Sequence, residues 1–203
     1  MTLRVIALLW LAFAFLPLLS AQQRFKAGFT AGLNASQIQG DDTGGYNKLG
    51  LVGGLKGIAV LGERSELSLE LTYSQRGSKN DKAEPVDIVI RLAYAEVPVL
   101  FNYKDWYVED GDYHRVMGSI GFSYGRLLSA ESEGLTSKYI DETDNFTKDD
   151  FSFVVGAEFF FQPRLSLGIR WNSSFNKLFH NDHAPGKNEL RGYFLSFRLN
   201  YLL

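Results

Sequence analysis

The chain has 203 residues, 45% of them hydrophobic, with a mean hydropathy of −0.11, a formal net charge of −2 and no cysteine. This length suits one domain with a targeting segment. The missing cysteines exclude disulfides and thiolate metal sites, and without a basic block nucleic acid is excluded as a partner. Phenylalanine (16), tyrosine (10) and glycine (20) outweigh proline (5), which favours pleated strands joined by turns.

In chain order, Arg4 supplies a positive start, Val5 to Leu19 form an apolar run, and Leu19-Ser20-Ala21 places a small residue at a cleavage point. That order is a secretory signal peptide over residues 1–21, because the apolar core is short for a membrane span. The remaining domain is 22–203. It contains no apolar stretch long enough for a membrane helix, so any membrane residence must come from strands.

Period-two alternation puts successive side chains on opposite faces of a strand. It is clearest over 25–38, where Phe25, Ala27, Phe29, Ala31, Leu33 and Ala35 oppose Lys26, Gly28, Thr30, Gly32, Asn34 and Ser36. The same pattern predicts strands at 48–61, 65–75, 88–103, 114–128, 151–161, 165–175 and 193–203. Together they make eight, an even number, as in bacterial single-chain barrels. In 88–103 the apolar parity switches from Ile88, Ile90 and Leu92 to Val97, Val99 and Phe101, which calls for a β-bulge near Ala93 to Ala95 or a loop at the start. Short links at 62–64 and 162–164 alternate with polar stretches at 38–47, 77–87, 129–149 and 176–188; 104–112 reads as an enlarged turn. Such alternation matches short periplasmic turns and longer extracellular loops.

The polar face separates a membrane barrel from a soluble one. A solvated face is rich in Lys and Glu, whereas here it is largely Gly, Ser, Thr and Asn, which fit a narrow lumen. Four acids (Glu66, Glu70, Glu96 and Glu158) and four bases (Lys26, Lys56, Arg170 and Arg198) share that face. Buried charges need partners, so these eight are expected to form a structural lumenal network that includes a Glu96–Arg170 pair. Tyrosines and Trp171 on the other face suit interfacial girdles.

Ala93-Tyr94-Ala95-Glu96-Val97-Pro98-Val99-Leu100 resembles the Y-L-E-I-P-L strand of the PorT-like outer-membrane β-barrel family. The stretch 121–130, the Phe153 to Glu158 segment and Leu167-Gly168-Ile169-Arg170-Trp171 resemble its later strands in order. Two departures are Ala95 in place of the usual Leu and a Tyr-Leu-Leu end in place of a terminal aromatic. The resemblance implies an eight-stranded outer-membrane barrel, linked in some members to protein secretion. It gives Glu96, Pro98 and Arg170 a structural meaning.

Chemistry is sparse. His180 and His183 read as a solvated loop, as do Asp41-Asp42 and Asp141 to Asp144, which lack EF-hand spacing. His114 has no serine-and-acid trio placed with it. The expectation is therefore a non-enzymatic, all-β, eight-stranded up-and-down transmembrane barrel of a Gram-negative outer membrane. Neither cofactor nor metal is expected. Its lumen is closed and charge-plugged, and its partners are outer-membrane lipid, lipopolysaccharide and other envelope or secretion proteins. Leu135, Tyr139, Ile140 and Phe146 are candidate loop contacts. The alternatives are a soluble periplasmic lipocalin-like carrier of a small apolar ligand and a lipid-modifying outer-membrane enzyme.

Overall fold

The computed structural model of the protein describes residues 24–39, 45–79, 89–133, 146–178 and 191–203. The strands are β1 (Phe25–Gln39), β2 (Lys48–Val60), β3 (Ser65–Lys79), β4 (Val89–Val108), β5 (Tyr113–Glu133), β6 (Asp149–Gln162), β7 (Leu165–Ser174) and β8 (Arg191–Leu202). Each pairs antiparallel with the next, and β8 returns to β1 from Gly28↔Leu202 to Gln39↔Arg191, closing the barrel. Closure leaves no sheet edge along the paired height of the wall, which a strand-built membrane protein requires. Among the described residues no helix is long and apolar enough to cross a membrane. The signal segment at 1–21 lies outside the described residues.

The two faces are inverted relative to a soluble barrel. Leu51, Leu69, Phe122, Ile169 and Leu199 point outward and are exposed, while Asn34, Ser68, Ser74, Asn102 and Ser196 point inward and are buried. This facing overturns the soluble-carrier alternative, which needs an apolar cavity and a solvated wall. Aromatics ring both ends: Tyr73, Tyr124, Phe151, Trp171 and Phe175 towards the long loops, and Phe25, Tyr103, Trp106, Tyr107, Phe161 and Tyr201 towards the short turns. Such aromatic girdles flank the apolar band of a membrane barrel, with the amphipathic rings of Tyr and Trp suited to the headgroup level. At mid-height of β3, Leu69→Arg is expected to lower folding stability in liposomes by about 2–4 kcal/mol, and Ser173→Arg near the long-loop end by about 0–1 kcal/mol. Urea titration of both variants checks the depth dependence; equal penalties would contradict it.

Two expected irregularities resolve differently from the sequence reading. β4 keeps one facing throughout: Ile90, Leu92, Tyr94, Glu96, Leu100 and Asn102 are all buried. Its parity does not switch. Instead the lumen turns apolar at the long-loop mouth, so Ile90 and Leu92 point inward. The register shift between Ala93 and Tyr94 places the extra residue on β5, because Ala93 pairs with Ser129 and Tyr94 with Leu127. The bulged Leu128 brings Leu127 and Ala130 both against the mouth's apolar cluster.

The segment 104–112 is a hairpin end rather than an enlarged turn. β4 runs on to Val108, which pairs with Tyr113, and a single 3-10 turn spans Glu109–Gly111. Asp112 reverses the chain in the left-handed region at φ 48°, a conformation that Asp tolerates better than most residues. The Tyr107 hydroxyl donates to its carboxylate at 2.7 Å.

Glycine is required where walls approach closely. A Cβ on Gly32 would lie 1.9 Å from the Phe197 carbonyl oxygen, at the seam that closes the barrel.

Candidate functional site

The inward residues build the lumen in layers. In the middle, Glu70 on β3 is the hub. It accepts two parallel hydrogen bonds from Arg170 on β7 (Nη1 to Oε2, 2.7 Å; Nη2 to Oε1, 2.8 Å) and one from Arg198 on β8 (3.1 Å). Lys56 on β2 lies 3.9 Å from Glu70 and donates to Glu158 on β6 at 3.0 Å. Arg170 also donates to Glu158 at 3.1 Å, and Ser166 to the same carboxylate at 3.2 Å. Three cations thus meet two acids, all buried, across five of the eight strands. Fork-shaped guanidinium–carboxylate bonding is the strongest ion-pair geometry available to side chains. Room for it comes from Gly156, where a Cβ would lie 2.7 Å from Arg170 Cγ.

Nearer the long loops lies a second layer, of which sequence reading found only Glu96. Arg76 on β3 bridges Glu96 on β4 and Asp150 on β6, with Nη1 donating to Asp150 Oδ2 at 2.7 Å. Its guanidinium is flanked by the rings of Tyr94 (4.3 Å) and Phe194 (4.5 Å), a cation–π arrangement that counts for more in a desolvated site. Here one cation meets two acids, so this layer's −1 offsets the middle layer's +1. Above it, Ile38, Ile90, Leu92, Tyr94 and Phe146 form an apolar lid, and the gap beside them holds only about 10 Å³.

At the turn end the lumen opens to solvent. Lys104 donates to Glu66 at 2.7 Å, and Lys26 lies 3.9 Å from the same carboxylate with its side chain 41% exposed.

The expected network residues therefore fall into three groups. Lys56, Glu70, Glu158, Arg170 and Arg198 meet in the middle. Glu66 and Lys26 meet at the turn-end rim. Glu96 stands apart from Arg170: the structure corrects the expected Glu96–Arg170 pair to Glu96–Arg76. Glu96 lies too far along the barrel towards the long loops to reach Arg170. Of the loop candidates, Leu135, Tyr139 and Ile140 lie outside the described residues. Phe146 is described and only 3% exposed, packed into the lid, which corrects its assignment as a partner contact. An aromatic side chain beside an apolar mouth gains more from burial there than from water.

His114 stacks at a tilt 5.3 Å from Tyr107 and lines an open concavity of about 550 Å³ with Glu63, Arg64, Lys104 and Asp112. No serine is among these lining residues. The histidines at 180 and 183 and the acids at 41–42 and 141–144 lie outside the described residues. Among the described residues no group of three or more His, Cys, Asp or Glu is placed to hold a metal ion.

Comparison with solved structures finds similar barrels. They include the attachment invasion locus protein Ail of Yersinia pestis (12% identity, covering 89% of this chain and 100% of that one, TM-score 0.46). Neisserial surface protein A is similar at 13% identity, over 88% of this chain and 97% of that one, with a TM-score of 0.43. The N-terminal domain of Pseudomonas aeruginosa OprF follows at 8% identity, over 87% and 97%, with a TM-score of 0.39. Among curated proteins no relative matches. The outer-membrane protein β-barrel domain model matches residues 6–201, essentially the whole closed barrel, and the chain belongs to that family of Gram-negative outer-membrane proteins.

Proposed function

We propose that the protein is a non-enzymatic, non-conducting envelope component whose activity resides in its long loops, through contacts with other envelope proteins. The observation that carries this reading is how the described inward residues fill the lumen: two ion-paired layers and an apolar cluster occupy it between the strands. An eight-stranded barrel has an interior just wide enough for side chains to fill. Function is then left to the segments that the scaffold holds above the membrane. Assistance to protein secretion, as the PorT-like resemblance of 93–100 implies, is the finer form of the same reading.

Two measurements test it. Reconstituted in planar bilayers, the wild-type protein is expected to give no conductance steps; regular openings would overturn the closed lumen. Deleting residues 134–144, which spares the lid residue Phe146, is expected to remove specific crosslinked partners from intact outer membranes while the unboiled barrel band persists on gels. An unchanged partner set would move the activity away from that loop.

A further inference from the structure

At the turn end one hairpin outruns the barrel wall. β4 pairs with β3 as far as Ser65↔Tyr103, with the Lys104 amide donating to the Arg64 carbonyl at 2.7 Å, and β5 begins to pair with β6 at Val116↔Phe159. Past those points the two arms pair with each other, at Tyr107↔His114 and Val108↔Tyr113, and among the described residues with no other strand. At about 3.3 Å per residue, 105–108 carry this ribbon about 13 Å beyond the rim. A lone two-stranded ribbon is marginal in water, yet this one is braced. The Tyr107 ring lies 5.3 Å from His114, the Arg115 guanidinium 5.6 Å from the Trp106 ring, and the Tyr113 hydroxyl donates to the Phe161 carbonyl at 3.3 Å. Trp106 is held at φ 56°, costly for a bulky residue, and is 60% exposed. Strain of this kind collects where a fold positions a ligand.

The 550 Å³ concavity lies between the β4 arm of the ribbon and the β2–β3 turn, where a strand would extend β3 along the ribbon. An unpaired strand edge accepts another chain as an added strand. Because β3 runs antiparallel to β4, a chain added in line with β3 runs towards the barrel, and its C-terminus arrives at the β2–β3 turn. The groups there suit a carboxylate. Arg64 has five N–H donors; it contacts Tyr103 and, at 3.7 Å, Asp105, so donors remain on an exposed side chain. His114 touches the Tyr107 ring and has no hydrogen-bond partner among the described residues. Lys104 is already held by Glu66. Glu63 and Asp105 flank these bases, and the ribbon's tip adds Glu109, Asp110 and Asp112. The chain that leads to the carboxylate therefore runs past acids.

We propose that the β4 edge of this ribbon binds the C-terminal tail of a periplasmic protein as an added antiparallel strand, basic side chains along the acidic ribbon and the terminal carboxylate on Arg64 and His114. The short turns face the periplasm, so this site lies at the opposite end of the barrel from the loops and goes beyond the loop-side reading. Hydrogen bonds to a charged group are strong enough that losing them weakens binding by about tenfold or more.

The test uses the whole barrel refolded in neutral detergent, with folding verified by the unboiled gel band. It reads the fluorescence anisotropy of a labelled hexapeptide of alternating threonine and lysine, a sequence with strand preference and positive charge. The wild type is expected to bind the free-carboxylate peptide about tenfold more tightly than its C-terminally amidated twin, and more tightly than a twin with glutamate for lysine. R64Q should bind the acid and amide peptides alike, and R164Q, at the β6–β7 turn, should behave as wild type. Methylating every second backbone nitrogen should abolish binding in one of the two phases, since only one edge of an added strand faces β4. Equal binding of acid and amide, an R64Q variant equal to wild type, tighter binding of the glutamate peptide, or indifference to methylation in both phases would each overturn the proposal. So would displacement of the peptide by millimolar acetate, which would give the site to a small acid rather than to a chain end.

Discussion

Glu70→Ala is expected to destabilise the folded barrel by about 3–5 kcal/mol, the range for breaking a buried ion pair by removing one partner. Glu70 is the carboxylate on which Arg170 and Arg198 both converge and near which Lys56 lies. Without it, three buried cations face Glu158 alone. Urea unfolding in liposomes measures the change. Glu158→Gln is the comparison: it leaves Glu70 in place to satisfy both arginines and so should cost less. A second-site change that removes one cation, Arg198→Met in the Glu70→Ala background, should recover part of the loss. A loss below about 1 kcal/mol for Glu70→Ala would place the group in water, because exposed pairs contribute no more than that.

The hub was legible in sequence as a set but not as a geometry. Period-two alternation placed Lys56, Glu70, Glu158, Arg170 and Arg198 on the polar face, since parity alone decides facing along a regular strand. Which carboxylate meets which guanidinium depends on strand tilt and stagger around the barrel, and a linear sequence does not carry them. That is why Glu96 was matched to Arg170 rather than to Arg76. Arg76 and Asp150 were missed for a different reason. The outward apolar positions that marked the strands stop at Tyr73 on β3 and begin at Phe151 on β6, whereas the strands run to Lys79 and start at Asp149. Continuing the inward parity of Ser74 by two residues, and of Ser152 back by two, would have found both.

The mouth misled the sequence reading in the opposite sense. Ile90 and Leu92 are apolar, and matching them to the lipid-facing apolar positions further along the strand called for a bulge near Ala93 to Ala95 or a loop at the start. Above the charged layers the rule reverses: the inward residues form an apolar cluster, and Phe146 belongs to it. Alternation reports a contrast between two faces. Which face is apolar can change along a single strand, and only the bulge at Leu128 and the contact with Phe146 reveal where it does.

Arg76→Met is expected to cost a similar 3–5 kcal/mol by leaving Glu96 and Asp150 buried without their shared cation. Methionine keeps an apolar filler between the Tyr94 and Phe194 rings, where sulfur–aromatic contact is favourable, so the loss measures charge rather than volume. Neutralising all three positions, in R76M/E96Q/D150N, should recover most of it, because replacing a whole buried charge set is commonly close to neutral. Recovery should stop short of wild type for a reason specific to this lumen. The Arg76 layer carries one more acid than base and the Glu70 layer one more base than acid, so removing the first leaves the second with an unbalanced positive charge in a low-dielectric interior. Adding Arg198→Met to the triple variant removes that excess and should raise stability again, although Arg198→Met in the wild-type background should lower it. That reversal of sign, read from four urea titrations, is the signature of two layers balanced against each other. A quadruple variant no more stable than the triple would mean that each layer is neutralised locally and that the pairing of excess charges across the lumen plays no part in holding the barrel closed.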